Sequence, residues 1–441
     1  MNTPEFYGYS LGQNIVPYIN KCIDETGECY VSEGIHMFGR NDADWNKGHI
    51  WSDSTITWGW NRKSGIKLIG KGPDKTIFRF VDNVHSRHLL GKKSQNTAML
   101  STNYNQSCDD NLIEGITFDG NYENNNEGST ICAIKIRGKN NTIRGCKFIN
   151  FGVGTDQAWE CFPVYCVPVD KSEQGPKILN NIFTSVGRKK NSNPGYCPEV
   201  TFIAVGGTDS VVEGNIFDNC EYDIVTQQSP LHAITIGESF NAKITNNIFN
   251  NFQGPCIYVD SWHNQDAIIK NNIAKNVWAF VALTCQKWPD ENQVSFNKNI
   301  VVEDNVVELT IGNVYYQWDR PPFTAPFFVY NYDPTLDGKK FPAFENVVIR
   351  NNKITLGYRT LPNNTIEESL GLMCAWGVVV GYEKIKFENN NEVISILPKK
   401  PRLFTRIINW FRKLFGIKWK NYHLKKLRSG IIHILGNSVR M

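Results

Sequence analysis

The sequence predicts an all-β chain: a single-stranded, right-handed parallel β-helix of about nine or ten coils, with an N-terminal helical cap and a C-terminal basic amphipathic helix. Three observations predict it. First, one phrase recurs: an aliphatic residue, a spacer, Gly or Asn, Asn, a spacer, then usually Phe. Ile244, Asn246, Asn247 and Phe249 show it most plainly. Second, the phrase returns every 25 to 47 residues, a period that belongs to solenoids and similar arrays. Third, each phrase alternates over two residues, is rich in β-branched side chains and lacks the 3.6-residue period of a helix.

The first aliphatic residue of the phrase falls at Ile113, Ile143, Ile178, Val212, Ile244, Ile269, Val302, Ile349 and, degraded, Phe387. Three residues on stand Ile116 and Cys146, then Asn181, Asn215, Asn247, Asn272, Asn305, Asn352 and Asn390. Asparagine tolerates a left-handed backbone, so this column is read as a tight corner between two strands. At strand spacing its amides can bond up the column. A second apolar strand precedes each phrase, at 133–138, 167–170, 202–207, 233–238, 256–261, 280–285, 327–332 and 377–382. Near-continuous apolar runs are what buried parallel strands require.

In chain order, residues 1–65 read as a cap and lead-in, 66–397 as the β-helix and 398–441 as a tail. Within 11–25, Ile15, Ile19 and Ile23 share one helical face with Val16. Cys29–Met37 reads as one strand, and Ile66–Phe80 as two runs around a Gly-Lys-Gly-Pro turn. A stack needs a cap because an open end exposes core and strand edges.

The repeats, the asparagine column, the cap and the GKGPDKTIF segment resemble the pectate-lyase-like β-helix superfamily over roughly 60–395. That superfamily includes polysaccharide lyases, glycoside hydrolases, epimerases, esterases and viral tailspikes, so the resemblance implies a fold before a reaction. The polygalacturonase set of Asn-Thr-Asp, Asp-Asp, Gly-His-Gly and Arg-Ile-Lys has no match. Nor do the Trp-rich or Arg-Pro-x-x-Arg signatures of pectate lyases, and no family catalytic residue is carried over.

Candidate site residues follow from strand alternation. Taking Ile136, Val169, Val205, Ile236, Val259, Leu283 and Tyr330 as inward gives an outward row of Arg137, Asp170, Gly206, Gly237, Asp260, Thr284 and Asn331. Glu238, one place past its row, is expected beside Asp260, about 5 Å away on the next coil. Two neighbouring carboxylates raise one pKa, which suits an acid and a base, and His263 in the same turn adds a third proton-transfer group. Tyr258, Trp262, Trp278 and Trp288 offer faces for sugar rings. Lys287 and Arg188 offer charge for uronate or phosphate. The competing reading makes Glu238, Asp260 and His263 plain turn residues, His232 a structural residue at a strand entry, and the tryptophans loop packing.

The twelve cysteines include no CxxC and no Cys/His cluster, so they read as small buried thiols. The acidic loop Asp119–Glu127 has oxygen ligands of the kind calcium takes but lacks EF-hand spacing; no cofactor and no metal site is expected. The N-terminus lacks a basic n-region and an apolar h-region, and no window of about 18 apolar residues occurs. No signal peptide and no transmembrane helix are therefore expected, and the reading is cytoplasmic.

All 43 acids lie in the first 392 residues, while the remainder carries twelve lysines and arginines. In the tail, Leu403, Ile407, Ile408, Phe411, Leu414 and Phe415 form one stripe among basic residues. One reading is an interfacial helix over 399–428, with Trp410, Phe411, Arg412, Lys413 and Trp419 at an anionic membrane on the inner face. The other folds the stripe back onto the last coil. No nucleic-acid fold accompanies the tail, so no nucleic acid is expected. The functional expectation is a carbohydrate-active enzyme (lyase, glycoside hydrolase or epimerase) on an acidic or complex polysaccharide, in exopolysaccharide synthesis or modification. The alternative is a non-catalytic, glycan-binding β-helix of tailspike type, which would trimerise.

Overall fold

Each coil begins on its aliphatic anchor. In the computed structural model the anchors stand in one parallel column, each paired with the next: Cys29, Leu68, Ile113, Ile143, Ile178, Val212, Ile244, Ile269, Val302, Ile349 and Phe387. The structure describes residues 2–38, 56–58, 64–82, 97–102, 107–125, 131–153, 160–186, 188–189, 199–220, 231–260, 263–285, 297–309, 326–331, 335–336, 339–340, 344–356, 358–360, 366–368, 373–377 and 385–394. The anchor column forms an 11-stranded sheet of short strands. The remaining coil strands join a 22-stranded sheet whose rungs are likewise parallel. This is a right-handed parallel β-helix. Its first coil starts at Glu28, upstream of the boundary expected at residue 66, so among the described residues eleven anchor strands stack, where nine or ten coils were expected.

The asparagine column does what buried amides must. Asn181 donates its side-chain N–H to Asn215 Oδ1 at 3.0 Å, Asn215 to Asn247, Asn247 to Asn272, Asn272 to Asn305, Asn305 to Asn352 and Asn352 to Asn390. Each of these donors also bonds a backbone carbonyl of a neighbouring coil, as Asn247 does with Val212 O at 2.9 Å. All are buried, and all are satisfied, which is the condition for a stable internal polar column.

One expectation is corrected here. The left-handed residue is the one before the ladder, not the ladder asparagine itself. Positive φ falls on Gly145, Asn180, Gly214, Asn246, Asn271, Asp304, Asn351 and Asn389. The paired asparagines therefore divide the work: the first turns the chain and faces solvent, the second bonds inside. Two further corners repeat the device, at Asn140, Asn241 and Asn299, and at Asn150, Asn219, Asn251 and Asn276.

Two residues past the ladder the phrase's phenylalanines stack. Phe118, Phe148, Phe183, Phe217 and Phe249 lie 4.7–5.2 Å apart, within 11° of parallel. Strand spacing imposes that separation. From the next coil the column continues as Ala274, Val307 and Ile354.

At the N-terminus a helix spans Val16–Thr26 and ends on Gly27 at φ 75. It buries Val16, Ile19, Cys22 and Ile23 in the same core as the first coil. Cys29–Met37 is not one strand: Glu28–Tyr30 and Gly34–Phe38 flank a corner and pair with different sheets. Eight cysteines among the described residues are buried and form no disulfide. No helix of the described residues is long and apolar enough to cross a membrane. The tail from residue 395, with its basic stripe, lies outside the described residues.

Candidate functional site

Strand alternation breaks at one place on every central coil. Ala133–Ile134, Phe202–Ile203, Ala233–Ile234, Cys256–Ile257 and Phe280–Val281 are successive residues that all join the core. Two inward side chains in a row bend the backbone, and the outer side chains on either side of the bend converge. Phe162 and Tyr165 have ring centroids 5.6 Å apart. Thr201 Oγ1 lies 3.3 Å from Thr235 Oγ1. The His232 ring lies flat on Tyr258, 4.0 Å between centroids and 10° between planes. Each pair spans three residues of register, about 10 Å along a straight strand. The outer face is therefore creased along the helix axis.

The crease crosses the strands Ile131–Arg137, Glu160–Val167, Glu199–Thr208, Leu231–Phe240 and Ile248–Val259, which pair in that order. Five strands make it about 19 Å long. Along it Phe162, Tyr165 and Tyr258 are partly exposed, Thr201, His232 and Thr235 are buried beneath, and Lys135 Nζ sits 5.8 Å over the Tyr165 ring. On the same face Ala204 lies opposite Tyr165 and Ala282 opposite Tyr258. Ile248–Val259 and Ile273–Cys285 run from one side of the crease to the other as unbroken strands. In the neighbouring coils residues 221–230 and 310–325, which fall at the same point, lie outside the described residues.

On the edge of this face the coils turn toward the next anchor. Glu238 is the extra residue of a β-bulge, left-handed at φ 51, where the register shifts between Val205 and Gly207. Its carboxylate pairs with Lys171. Lys171 reaches it because loop 168–175 lies across Gly206 and Gly207, where a Cβ on Gly207 would meet Pro168 Cγ at 2.5 Å. Asp260 donates its backbone N–H to Ile236 O at 2.9 Å and accepts from Asn264 Nδ2 at 2.8 Å on its carbonyl. His263 follows in the same turn, partly buried.

The structure sorts the predicted residues. Tyr258 stands in the crease. Asp260 is two residues beyond it, on the same side of the strand by alternation. Arg137 is in its row, opposite Val167. Asp170 is not: Cys166 occupies the inward place given to Val169, which is 40% exposed. Asp170 instead caps a turn, accepting from Ser172 N and Oγ, and these bonds hold its pKa below the usual carboxylate value. Val329, rather than Tyr330, pairs with Leu283. Arg188 lies on a two-residue strand paired with Gly152–Val153, apart from the main sheets. Trp262, Lys287, Trp288, Trp410, Phe411, Arg412, Lys413 and Trp419 lie outside the described residues. In the acidic loop, Asp119 is buried and spent on Arg79, Asn121 and Asn150. No group of three His, Cys, Asp or Glu among the described residues is placed to hold a metal.

Sequence reasoning missed Phe162 and Tyr165, while His232, expected as a structural residue at a strand entry, is buried at the start of Leu231–Phe240. The signal was available as the repeated inward pair that breaks the alternation. The backbone register also sets Glu160 opposite Glu199, two residues upstream of Phe162 and Thr201.

No protein-family model matches the chain, and no curated protein matches it. Solved structures do. The mannuronan C-5 epimerase AlgE4 A-module of Azotobacter vinelandii is 13% identical, over 90% of this chain and 98% of its own, with a TM-score of 0.38. The exopolygalacturonase of Thermotoga maritima is 13% identical, over 86% and 92%, with a TM-score of 0.42. A tailspike protein of E. coli bacteriophage HK620, solved with a pentasaccharide, is 12% identical, over 88% and 64%, with a TM-score of 0.49. At 13% identity or less these are likenesses of fold alone, and the parallel β-helix rests on this chain's own strand register.

Proposed function

We propose that the chain binds an extended polysaccharide along the crease and acts on it with Asp260 and His263. The observation that supports this reading is the run of partly exposed rings along one crease, Phe162, Tyr165 and Tyr258, with Tyr258 backed by the buried His232. Sugar rings present apolar faces to aromatics, so these partly exposed rings offer them a stacking surface. A carboxylate and an imidazole at the rim supply what hydrolysis, elimination or epimerisation share: a group to take a proton and a group to give one. Lys135 at one end suits an acidic sugar.

A second reading, binding without turnover, has one observation in its favour. Glu238, expected to complete a carboxylate pair, is held by Lys171.

The test is incubation of the full chain with a panel of uronic-acid and neutral polysaccharides, followed for retention and for new reducing or unsaturated ends. The reading expects Asp260→Asn to keep retention and lose product. Product formation untouched in both Asp260→Asn and His263→Ala would remove these residues from the chemistry. Retention with no product in the unsubstituted chain would leave the binding reading.

A further inference from the structure

We propose that the C-terminal segment, residues 399–428, docks on the outside of its own β-helix along a row of outward-facing aliphatic residues, half-buried at Ile182, Ile216 and Ile248 and exposed at Ile273 and Val306. The row is Ile182, Ile216, Ile248, Ile273 and Val306, paired in register on five consecutive coils. Ile273 and Val306 are 37% and 39% exposed. Lysines close the row at both ends, Lys147 opposite Ile182 and Lys353 opposite Val306. The row belongs to scaffold on the far side of the asparagine corner from the anchors and has no part in the crease.

Three features identify the occupant. The first is length. Five strands put Ile182 and Val306 about 19 Å apart, and a helical stripe from Leu403 to Phe415 is about 18 Å long. The second is where the chain leaves the stack. The last described strand, Asn391–Ile394, pairs with Lys353–Leu356, which pairs with the strand holding Val306. The tail thus starts on this same sheet, two coils or about 10 Å beyond the row. The eight residues 395–402 reach up to about 26 Å when extended. The third is charge. The tail holds twelve cations and no acid. On the same five coils, the rows flanking the aliphatic one hold Glu213, Asp218 and Glu308 besides Lys275, and Glu303 and Asp304, which Lys270 and Arg350 already pair. A basic amphipathic helix laid on this face covers the aliphatic row with its stripe and sets its cations over those carboxylates.

The test uses the full chain with a benzophenone amino acid in place of Phe411, illuminated as a mixture of light and heavy isotope-labelled protein and mapped by mass spectrometry. Docking predicts adducts within one chain on residues 244–251, 268–276 or 301–309, and their loss in an Ile273→Lys, Val306→Lys chain. Adducts joining light to heavy chains would assign the face to a second copy and overturn the proposal. Adducts absent from these segments, or replaced by lipid adducts when phosphatidylserine vesicles are present, would also overturn it. The mapping on the unsubstituted row stands whether or not the lysine variant folds.

Discussion

The imidazole of His232 lies 4.0 Å from the ring of Tyr258, one coil away and three residues along in register. Only a bend in the outer face brings them together, and the bend comes from Ala233 and Ile234 both turning inward. Replacing Ala233 by a larger side chain is expected to open the crease by crowding this inward pair. Ala233→Leu should cost about 1–3 kcal/mol of stability through overpacking. The check is a denaturant midpoint, with polysaccharide retention measured on the same protein. An unchanged midpoint would mean that the inward pair has room to spare.

The two asparagines of the repeated phrase should respond oppositely to substitution. Asn247 accepts from Asn215 and donates to Val212 O and Asn272 Oδ1, all buried. Asn247→Ala strands several of these groups, and a loss of roughly 3 kcal/mol is expected. Asn246 is exposed and left-handed at φ 58. Asn246→Gly should be nearly neutral and Asn246→Ala should cost about 1 kcal/mol. Equal costs for Asn246→Gly and Asn247→Ala in urea unfolding would refute the division of labour.

Loop 168–175 depends on a bare backbone beneath it. Gly207 has φ 88 and no room for a Cβ beside Pro168. Thr208 N donates to Glu173 O at 2.8 Å across the same contact. Gly207→Ala is expected to lift the loop and break the Lys171–Glu238 pair. Amide exchange should rise in 168–175 and stay unchanged in the asparagine column; protection preserved in the loop would contradict the account.

Glu303 receives Lys270 and Arg350 from the two neighbouring coils, at 2.8 and 2.7 Å. Bonds from Lys270 first, then Arg350, hold its pKa below the ordinary 4.5. A folded-state value lower than the unfolded one contributes stability above the unfolded pKa and loses it as the pH falls through the folded one. Glu303→Gln should therefore be less stable than the parent at pH 7, and the gap should close in acid. Urea midpoints at pH 7 and pH 3 test the sign. The lysine and arginine are partly exposed, so the gap should also shrink in high salt.

The fold was legible because its rules are local. An anchor, a left-handed turn residue and a ladder asparagine fit within four residues, and every anchor from Ile113 to Phe387 stands where the phrase put it. The coil at Cys29 was hidden because Val31 and Ser32 take the places of the asparagine pair, so nothing marks its corner. The row containing Asp170 was placed on 167–170, whereas the strand is Glu160–Val167, so Asp170 falls in the turn after it. The site was less legible. Its lining depends on a bend that joins residues three apart on different coils, and strand alternation alone predicts that those residues diverge. Glu238 was expected beside Asp260 on spacing alone; the bulge that gives it φ 51, and the loop bringing Lys171, are tertiary effects.

The most direct measurement is the affinity of the full chain for an acidic polysaccharide, compared between the parent and Tyr258→Ala by affinity electrophoresis. Tyr258 is partly exposed and outside the core, so the variant should keep its fold, verified by its unfolding midpoint. If the crease is the binding site, the parent is retarded and Tyr258→Ala loses at least about ten-fold in affinity, the effect of roughly 1.4 kcal/mol of lost stacking. A folded Tyr258→Ala chain retarded as strongly as the parent would contradict the account.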